Sequence, residues 1–209
     1  MHAEVEFDRI APVYDETRRP PSDAEVDALS ELLEGCRTVL DAGVGTGRYA
    51  APLHERRFDV LGVDLSVEMM RRARAKGIES LVRANVLNLP CPPQAVDGAI
   101  MAHVLQLLPD PRLPLRELGR VARRTVVVVL PEWSERAEGS PWHALGKRYR
   151  ELAAELGYPM PARGPRYRHS LEDLCAIAPP REIRVVARPP RGDLTLGERL
   201  ARWETHAYG

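Results

Sequence analysis

Two carboxylates and a run of glycines carry the chemistry of this sequence. Val39-Leu40-Asp41-Ala42-Gly43-Val44-Gly45-Thr46-Gly47-Arg48 is a short apolar run that ends in Asp41 and passes into a turn with alternate glycines. About twenty residues on, Val60-Leu61-Gly62-Val63 is a second apolar run, and it ends in Asp64. Two buried strands tipped by Asp, with a glycine turn between them, describe a nucleoside-binding crevice at the carboxyl edge of a parallel sheet. Gly43 and Gly45 let the backbone approach a ligand and take positive φ. The dinucleotide fingerprint is G-x-G-x-x-G, and here the third glycine comes one residue early. Asp41 would repel a pyrophosphate and suits a ligand whose near end is cationic. Asp64 is placed to accept hydrogen bonds from ribose hydroxyls. His103, just past a later apolar run, is the first candidate for a general base, with His169 and Glu132 behind it.

The elements that position these residues follow from spacing. Ser22 and Glu25 form a capping-box pair, and Val26, Leu29, Leu32 and Leu33 then share one helical face. The pattern predicts strands at Thr38–Asp41, Asp59–Asp64, Ser80–Ala84, Val96–Met101 and Thr125–Leu130. Helices fall between them over Tyr49–Arg57, from Ser66 to Gly77, and over Leu113–Ala122. Thr125–Leu130 is continuously apolar, as a central parallel strand is. Strands alternating with helices mean right-handed βαβ units and a doubly wound α/β sheet with helices on both faces. Beyond Leu130 the sequence predicts a helix from Ser140, a short helix capped by Ser170, a sixth strand at Ile183–Ala187 and a last helix opened by Thr195 and Glu198. Residues 1–209 are read as one domain: cap helices over 1–35, a binding core over 36–130, and a helical cover with the sheet edge over 131–209.

Composition narrows the partners. The 209 residues carry 30 Lys+Arg and 30 Asp+Glu, so the chain has no strong nucleic-acid field. Cys36, Cys91 and Cys175 are widely spaced, and neither a disulfide framework nor a zinc site follows from them. The first residues hold no signal-peptide pattern, and the longest aliphatic run, Val126–Leu130, is far too short for a membrane span. The expectation is a cytoplasmic protein. An unpaired sheet edge after a missing last strand invites pairing with a second copy, a homodimer.

Four motifs in order give the chain a resemblance. They are Val39 to Gly47, Gly62 to Met70, Arg83-Ala84-Asn85-Val86-Leu87-Asn88-Leu89-Pro90, and Asp97-Gly98-Ala99-Ile100 through His103-Val104-Leu105. With them the chain resembles the class I S-adenosylmethionine-dependent methyltransferases, in the small-molecule branch of the ubiquinone/menaquinone-biosynthesis type. The resemblance covers roughly residues 7 to 130. Phe7 to Asp15 is similar to the family's opening segment, which folds over the cofactor.

The resemblance implies S-adenosyl-L-methionine as cofactor and a Rossmann-like fold. It implies that Gly43 and Gly45 line the methionine end and that Asp41 faces its ammonium. Asp64 would hold the ribose, and Leu65 and Met69 would pack on adenine. The family places an Asp after the third strand; here Asn85 stands there, an acceptor without charge, and Val86 would offer its N–H to the ring. Tyr14, with Arg18 or Arg19, would close over the methionine carboxylate.

The implied reaction is methyl transfer to a small-molecule acceptor, in which the protein's main task is alignment. Two other classes stay open on the sequence. One is a protein that binds S-adenosylmethionine or S-adenosylhomocysteine without transfer. The other is a nicotinamide oxidoreductase on the related fold. Plainer roles also stand beside individual residues. Asn85 reads equally as a turn residue, Met70 as core, and His103 as a structural histidine.

Overall fold

The computed structural model describes residues 7–18, 20–130, 148, 155, 169–179 and 184. Three of its helices begin at a serine whose oxygen accepts one of the first orphan amides. Ser22 opens helix α1 (Asp23–Leu32) with both halves of a capping box: Ser22 Oγ accepts the Glu25 N–H at 3.3 Å, and Glu25 Oε2 accepts the Ser22 N–H at 3.0 Å. Helix α2 is Ala50–Glu55. Ser66 Oγ accepts the Met69 N–H at 3.1 Å and opens α3 (Val67–Ala75). Helix α4 is Arg112–Val121, and Ser170 caps the short α5 (Leu171–Ile177).

The strands are β1 (Thr38–Ala42), β2 (Asp59–Asp64), β3 (Leu81–Arg83), β4 (Val96–Ala102) and β5 (Ala122–Val129). They pair in the order β3-β2-β1-β4-β5, all parallel. Successive β1 residues point to opposite faces, so Val39 joins Leu29, Leu33, Leu53 and Ile100 on one side. Leu40 joins Val63, Met101, Leu105 and Leu118 on the other. Strand β1 is therefore apolar on both faces, as a central parallel strand must be. It is also where the chain reverses its direction of travel across the sheet, with β2 and β3 on one side and β4 and β5 on the other. Ligands of doubly wound sheets bind at the carboxyl end of such a switch point.

The expected doubly wound architecture stands, with local differences. The helix expected over Tyr49–Arg57 is confined to Ala50–Glu55. Tyr49 and Gly45 to Gly47 belong to the turn, and Arg57 leaves the helix at φ 72°. Strand β3 pairs over three residues only, and its Val82 is 38% exposed. Among the described residues the partner of β5 is β4 alone, and Val126 is 39% exposed; the expected strand at Ile183–Ala187 lies outside those residues. The helix expected from Ser140, the strand at Ile183–Ala187 and the Thr195–Glu198 capping box lie outside the described residues. So does the sheet edge on which pairing with a second copy rests. Among the described residues, no helix is long and apolar enough to cross a membrane.

Candidate functional site

The glycine turn is built from backbone that other residues adopt with strain. Gly43, Gly45 and Gly47 have φ of 87°, 53° and 78°. The Gly43 and Val44 amides donate to Val63 O at 2.7 and 2.9 Å, which ties the turn to β2. Asp64, at the tip of β2, completes the tie. Its Oδ2 accepts the Gly45 N–H at 2.8 Å and its Oδ1 accepts the Ser66 N–H at 2.9 Å. Each oxygen of the carboxylate keeps a second lone pair. At Gly43 the packing is close, since a Cβ there would sit 2.4 Å from Val104 Cγ2. At Gly45 a Cβ would meet nothing within 4 Å, so the turn borders open space at that residue.

Asp41 lies under this turn and is 2% exposed. Its Oδ1 is buried with no hydrogen-bond partner among the described residues. Burial, and then the neighbouring charge of Asp64, push its carboxyl up to about 7. Asp64 is also raised, chiefly by burial, with the Ser66 and Gly45 amides pulling the other way. A buried acceptor left without a donor costs on the order of 1–3 kcal/mol. A cationic donor in the crevice would relieve both the missing bond and the charge repulsion.

The remaining expected ligand contacts spread around this pair. Leu65 is half-buried and keeps open surface, whereas Met69 is 2% exposed, the environment of a core methionine. Asn85 is exposed and its Oδ1 accepts the Leu87 N–H at 2.9 Å, the turn role weighed for it above. Val86 is buried. Arg18 is exposed, and its guanidinium lies 5.2 Å from the Tyr14 ring centre. Arg19 and Glu132 lie outside the described residues. His169 lies beside α5, with its Nε2 2.9 Å from Leu108 O.

His103 follows β4 directly and has φ 57°, an uncommon conformation for a residue with a Cβ. It is pinned there: its N–H donates to Val129 O at 2.9 Å, and its carbonyl accepts from Gln106 Nε2 at 2.7 Å. Its ring meets Tyr49, which the sequence placed only at the start of a helix, and Tyr49 in turn reaches the capping-box Glu25. His103 Nε2 is 3.0 Å from Tyr49 Oη, and Tyr49 Oη is 3.4 Å from Glu25 Oε1. Tyr49 is 5% exposed. Since Val104 abuts Gly43, the tip of β4 stands beside the glycine turn.

The N-terminal segment forms a strap on the same turn. It holds a 3-10 turn at Ala11–Val13 and a helical turn at Tyr14–Thr17. Asp8 accepts from the Ser66 hydroxyl and from the Glu68 N–H at the start of α3. Asp15 accepts from Thr46 Oγ1 at 2.5 Å and pairs with Lys76 Nζ at 2.6 Å. Burial alone would raise the Asp15 carboxyl; the hydrogen bonds from Lys76 and Thr46 outweigh it and hold it below the usual carboxylate range. Its stabilisation is therefore present at neutral pH and is lost as the pH falls through the folded value. Lys76→Ala is expected to cost no more than about 1 kcal/mol, because the pair is partly exposed. The difference should shrink in about 1 M salt, and urea melts at low and high salt check it.

Comparison with known proteins shows what the chain is similar to. A methyltransferase-domain family profile matches residues 40–130. The chain is 34% identical over 142 residues to the ubiquinone/menaquinone biosynthesis C-methyltransferase of Syntrophotalea carbinolica, covering 62% of this chain and 60% of that one. Residues 40–130 thus carry a methyltransferase domain. Two other methyltransferases are similar. One is the phosphatidylethanolamine N-methyltransferase of Cereibacter sphaeroides, 32% identical over 57% of this chain and 62% of that one. The other is the tRNA (carboxymethyluridine(34)-5-O)-methyltransferase of Arabidopsis thaliana, 32% identical over 78% of this chain and 41% of that one. This chain thus spans less than two thirds of the length of each of these relatives.

Among solved structures, a S-adenosylmethionine-dependent methyltransferase of Thermotoga maritima superposes with a TM-score of 0.58 at 26% identity, covering 82% of this chain and 76% of that one. The cradle fits the cofactor of that methyltransferase, S-adenosylmethionine. The orphaned Asp41 oxygen matches its ammonium, the open flank of Gly45 admits its bulk, and the spare Asp64 lone pairs match ribose hydroxyls.

Proposed function

We propose that this chain transfers the methyl group of S-adenosylmethionine to a small-molecule acceptor by in-line displacement. The observation that carries the reading is the buried Asp41 Oδ1, without a hydrogen-bond partner among the described residues, in a turn whose Gly45 borders open space. When bound, S-adenosylmethionine supplies a methyl group already activated on a sulfonium. Everything else falls to the chain's own groups. Asp41 and the Gly43–Gly45 backbone orient the methionine end, and Asp64 fixes the ribose. The strap held by Asp8 and Asp15 covers the turn and limits water. His103, at the tip of β4, stands where an acceptor's proton can be taken.

A small acceptor is favoured by the balance of 30 basic and 30 acidic residues, because RNA binding draws on clustered positive charge. The tRNA-modifying relative makes an RNA acceptor the competing outcome.

Titration calorimetry tests the cofactor site. Wild type should bind S-adenosylmethionine, and Asp64→Ala should weaken it by roughly 1–3 kcal/mol through the lost hydrogen bonds to a charged group. Equal affinities would remove Asp64 from its role. In thermal melts, S-adenosylmethionine and S-adenosylhomocysteine should stabilise the fold and NADH should not. Tight binding without transfer to any member of a broad acceptor panel, RNA included, would favour a binding protein over an enzyme.

A further inference from the structure

We infer that Glu117 and Arg120 of α4 are positioning residues for the base end of the crevice: they hold the segment that leaves β3, and with it Asn85 and Val86, where the chain takes adenine and turns away hypoxanthine. This rests on the methyl-transfer reading above, in which the ligand is S-adenosylmethionine. The two residues act through residues 84–91 rather than on the ligand itself.

The order of the strand tips says where the base lies. Asp41 stands at the tip of β1 and Asp64 at the tip of β2, and β3 is the next strand outward. Neighbouring strands lie about 4.8 Å apart. A ligand with its ammonium over β1 and its ribose over β2 therefore carries its base onto the backbone that leaves β3. That backbone is tied to the crevice at its start, where the Ala84 N–H donates to Asp64 O at 3.0 Å. Asn85 and Val86 follow directly.

The sheet does little to hold what comes next, because β3 pairs over three residues only. Pro90, Pro92 and Pro93 have no N–H, so residues 84–95 are short of donors and rich in carbonyls. Helix α4 makes up both deficits. Glu117 Oε2 accepts the Leu89 N–H at 2.7 Å. Arg120 donates to Leu89 O at 3.0 Å from one terminal nitrogen and to Cys91 O at 2.6 Å from the other. The two side chains also fix each other, since Arg120 grips both oxygens of Glu117 at 2.8 and 2.7 Å, the fork geometry that holds a guanidinium in one place. Beside this pair, Val86 and Leu89 are buried in one cluster with Leu118 and Val121 of the same helix. Polar and apolar holds on the segment thus both come from α4.

A segment fixed in this way can read a base edge. Asn85 Oδ1 accepts the Leu87 N–H at 2.9 Å, which settles that the oxygen rather than the amide nitrogen lies on that side and leaves it a second lone pair. Adenine offers an amino donor at C6 and an acceptor at N1, and hypoxanthine reverses both. The Asn85 oxygen followed by the Val86 N–H matches the first base and opposes the second. Such a match holds only while the segment keeps its place to within about 0.5 Å, and α4 sets that place.

Titration calorimetry with S-adenosylhomocysteine and with S-inosylhomocysteine, its hypoxanthine counterpart, tests this. Wild type is expected to prefer the adenine ligand by about 10-fold or more. Arg120→Ala should cut that preference by at least about threefold, weakening S-adenosylhomocysteine and leaving S-inosylhomocysteine nearly unchanged. Glu117→Gln keeps an acceptor for the Leu89 N–H but breaks the ionic fork; it should act in the same direction, and it covers the case in which Arg120→Ala does not fold. Arg123→Ala is the structural control. It releases Gln94 O at the far end of the same segment and should lower the melting temperature without moving the preference. A merely structural role for Glu117 and Arg120 would weaken both ligands alike and leave the ratio intact. Folded variants with an unchanged ratio, or an Arg123→Ala ratio that falls as far as that of Arg120→Ala, would overturn the inference. Wild type that binds S-adenosylhomocysteine but shows no preference would overturn it alone, whereas wild type that binds neither ligand would strike the methyl-transfer reading first.

Discussion

Asp41→Asn is expected to make the ligand-free protein more stable at neutral pH and, in the same stroke, to weaken its hold on S-adenosylmethionine. The Asp41 carboxyl rises from its ordinary 3.8 to about 7 in the folded chain, first by burial and then by the charge of Asp64. Below about pH 4 it is protonated in both states and costs nothing. As the pH climbs, the unfolded chain ionises first, and stability drains away until the folded carboxyl also ionises near 7. A rise of about three pH units corresponds to on the order of 4 kcal/mol, as an upper scale. Asn removes that loss, so the variant should melt several degrees higher at pH 8 and match wild type at pH 4. For a chain of this size each kcal/mol moves the midpoint by about 2–4 °C.

Ligand binding should respond the other way. A cationic ligand needs Asp41 ionised, so wild-type affinity should rise about tenfold per pH unit on the acid side of 7 and then level off. The variant should bind weakly at every pH. Calorimetry across that range checks the slope. Matching melting temperatures at pH 8, with affinities that do not depend on pH, would show that Asp41 carries neither burden.

Gly43→Ala should be the most damaging small substitution in the cradle. The residue has φ 87°, where a Cβ costs on the order of 1–2 kcal/mol. That Cβ would also stand 2.4 Å from Val104 Cγ2, and overpacking of this kind costs about 1–3 kcal/mol more. Together they predict a loss of roughly 2–5 kcal/mol in denaturant melts. Val104→Ala removes the colliding methyl, so the double variant should recover the overlap part and keep the backbone part. Strict additivity of the two single effects would reject the collision. Gly45→Ala is the useful contrast. Its Cβ meets nothing within 4 Å, so it should cost only the backbone strain, about 1 kcal/mol, yet fill space meant for the ligand. The expected signature is a folded protein that no longer binds S-adenosylmethionine.

The parts of the molecule that were legible in the sequence share a physical cause: short-range patterns with one reading. The Ser22–Glu25 box, the Ser66 cap and the β2 span were fixed by neighbours within a few residues. Asp41 and Asp64 were visible because strand tips beside a glycine turn converge whatever the details of packing. Tyr49 was not visible. In sequence it is only the first residue of an expected helix, and its partners are 54 and 24 positions away. Asp15, Thr46 and Lys76 likewise meet across 31 and 61 positions, and no local pattern announces an ion pair. Asn85 shows the reverse, since its turn role is local and could be weighed from the start.

The left-handed backbone at the tip of β4 carries a last consequence. Glycine would occupy that conformation without penalty, and asparagine with little, whereas histidine holds it at a cost of about 1 kcal/mol or more. Selection for a comfortable chain would therefore discard the imidazole. Its presence there makes position 103 a place where thermostability and usefulness part company, and where heat-driven laboratory evolution should be watched for drift to Gly or Asn.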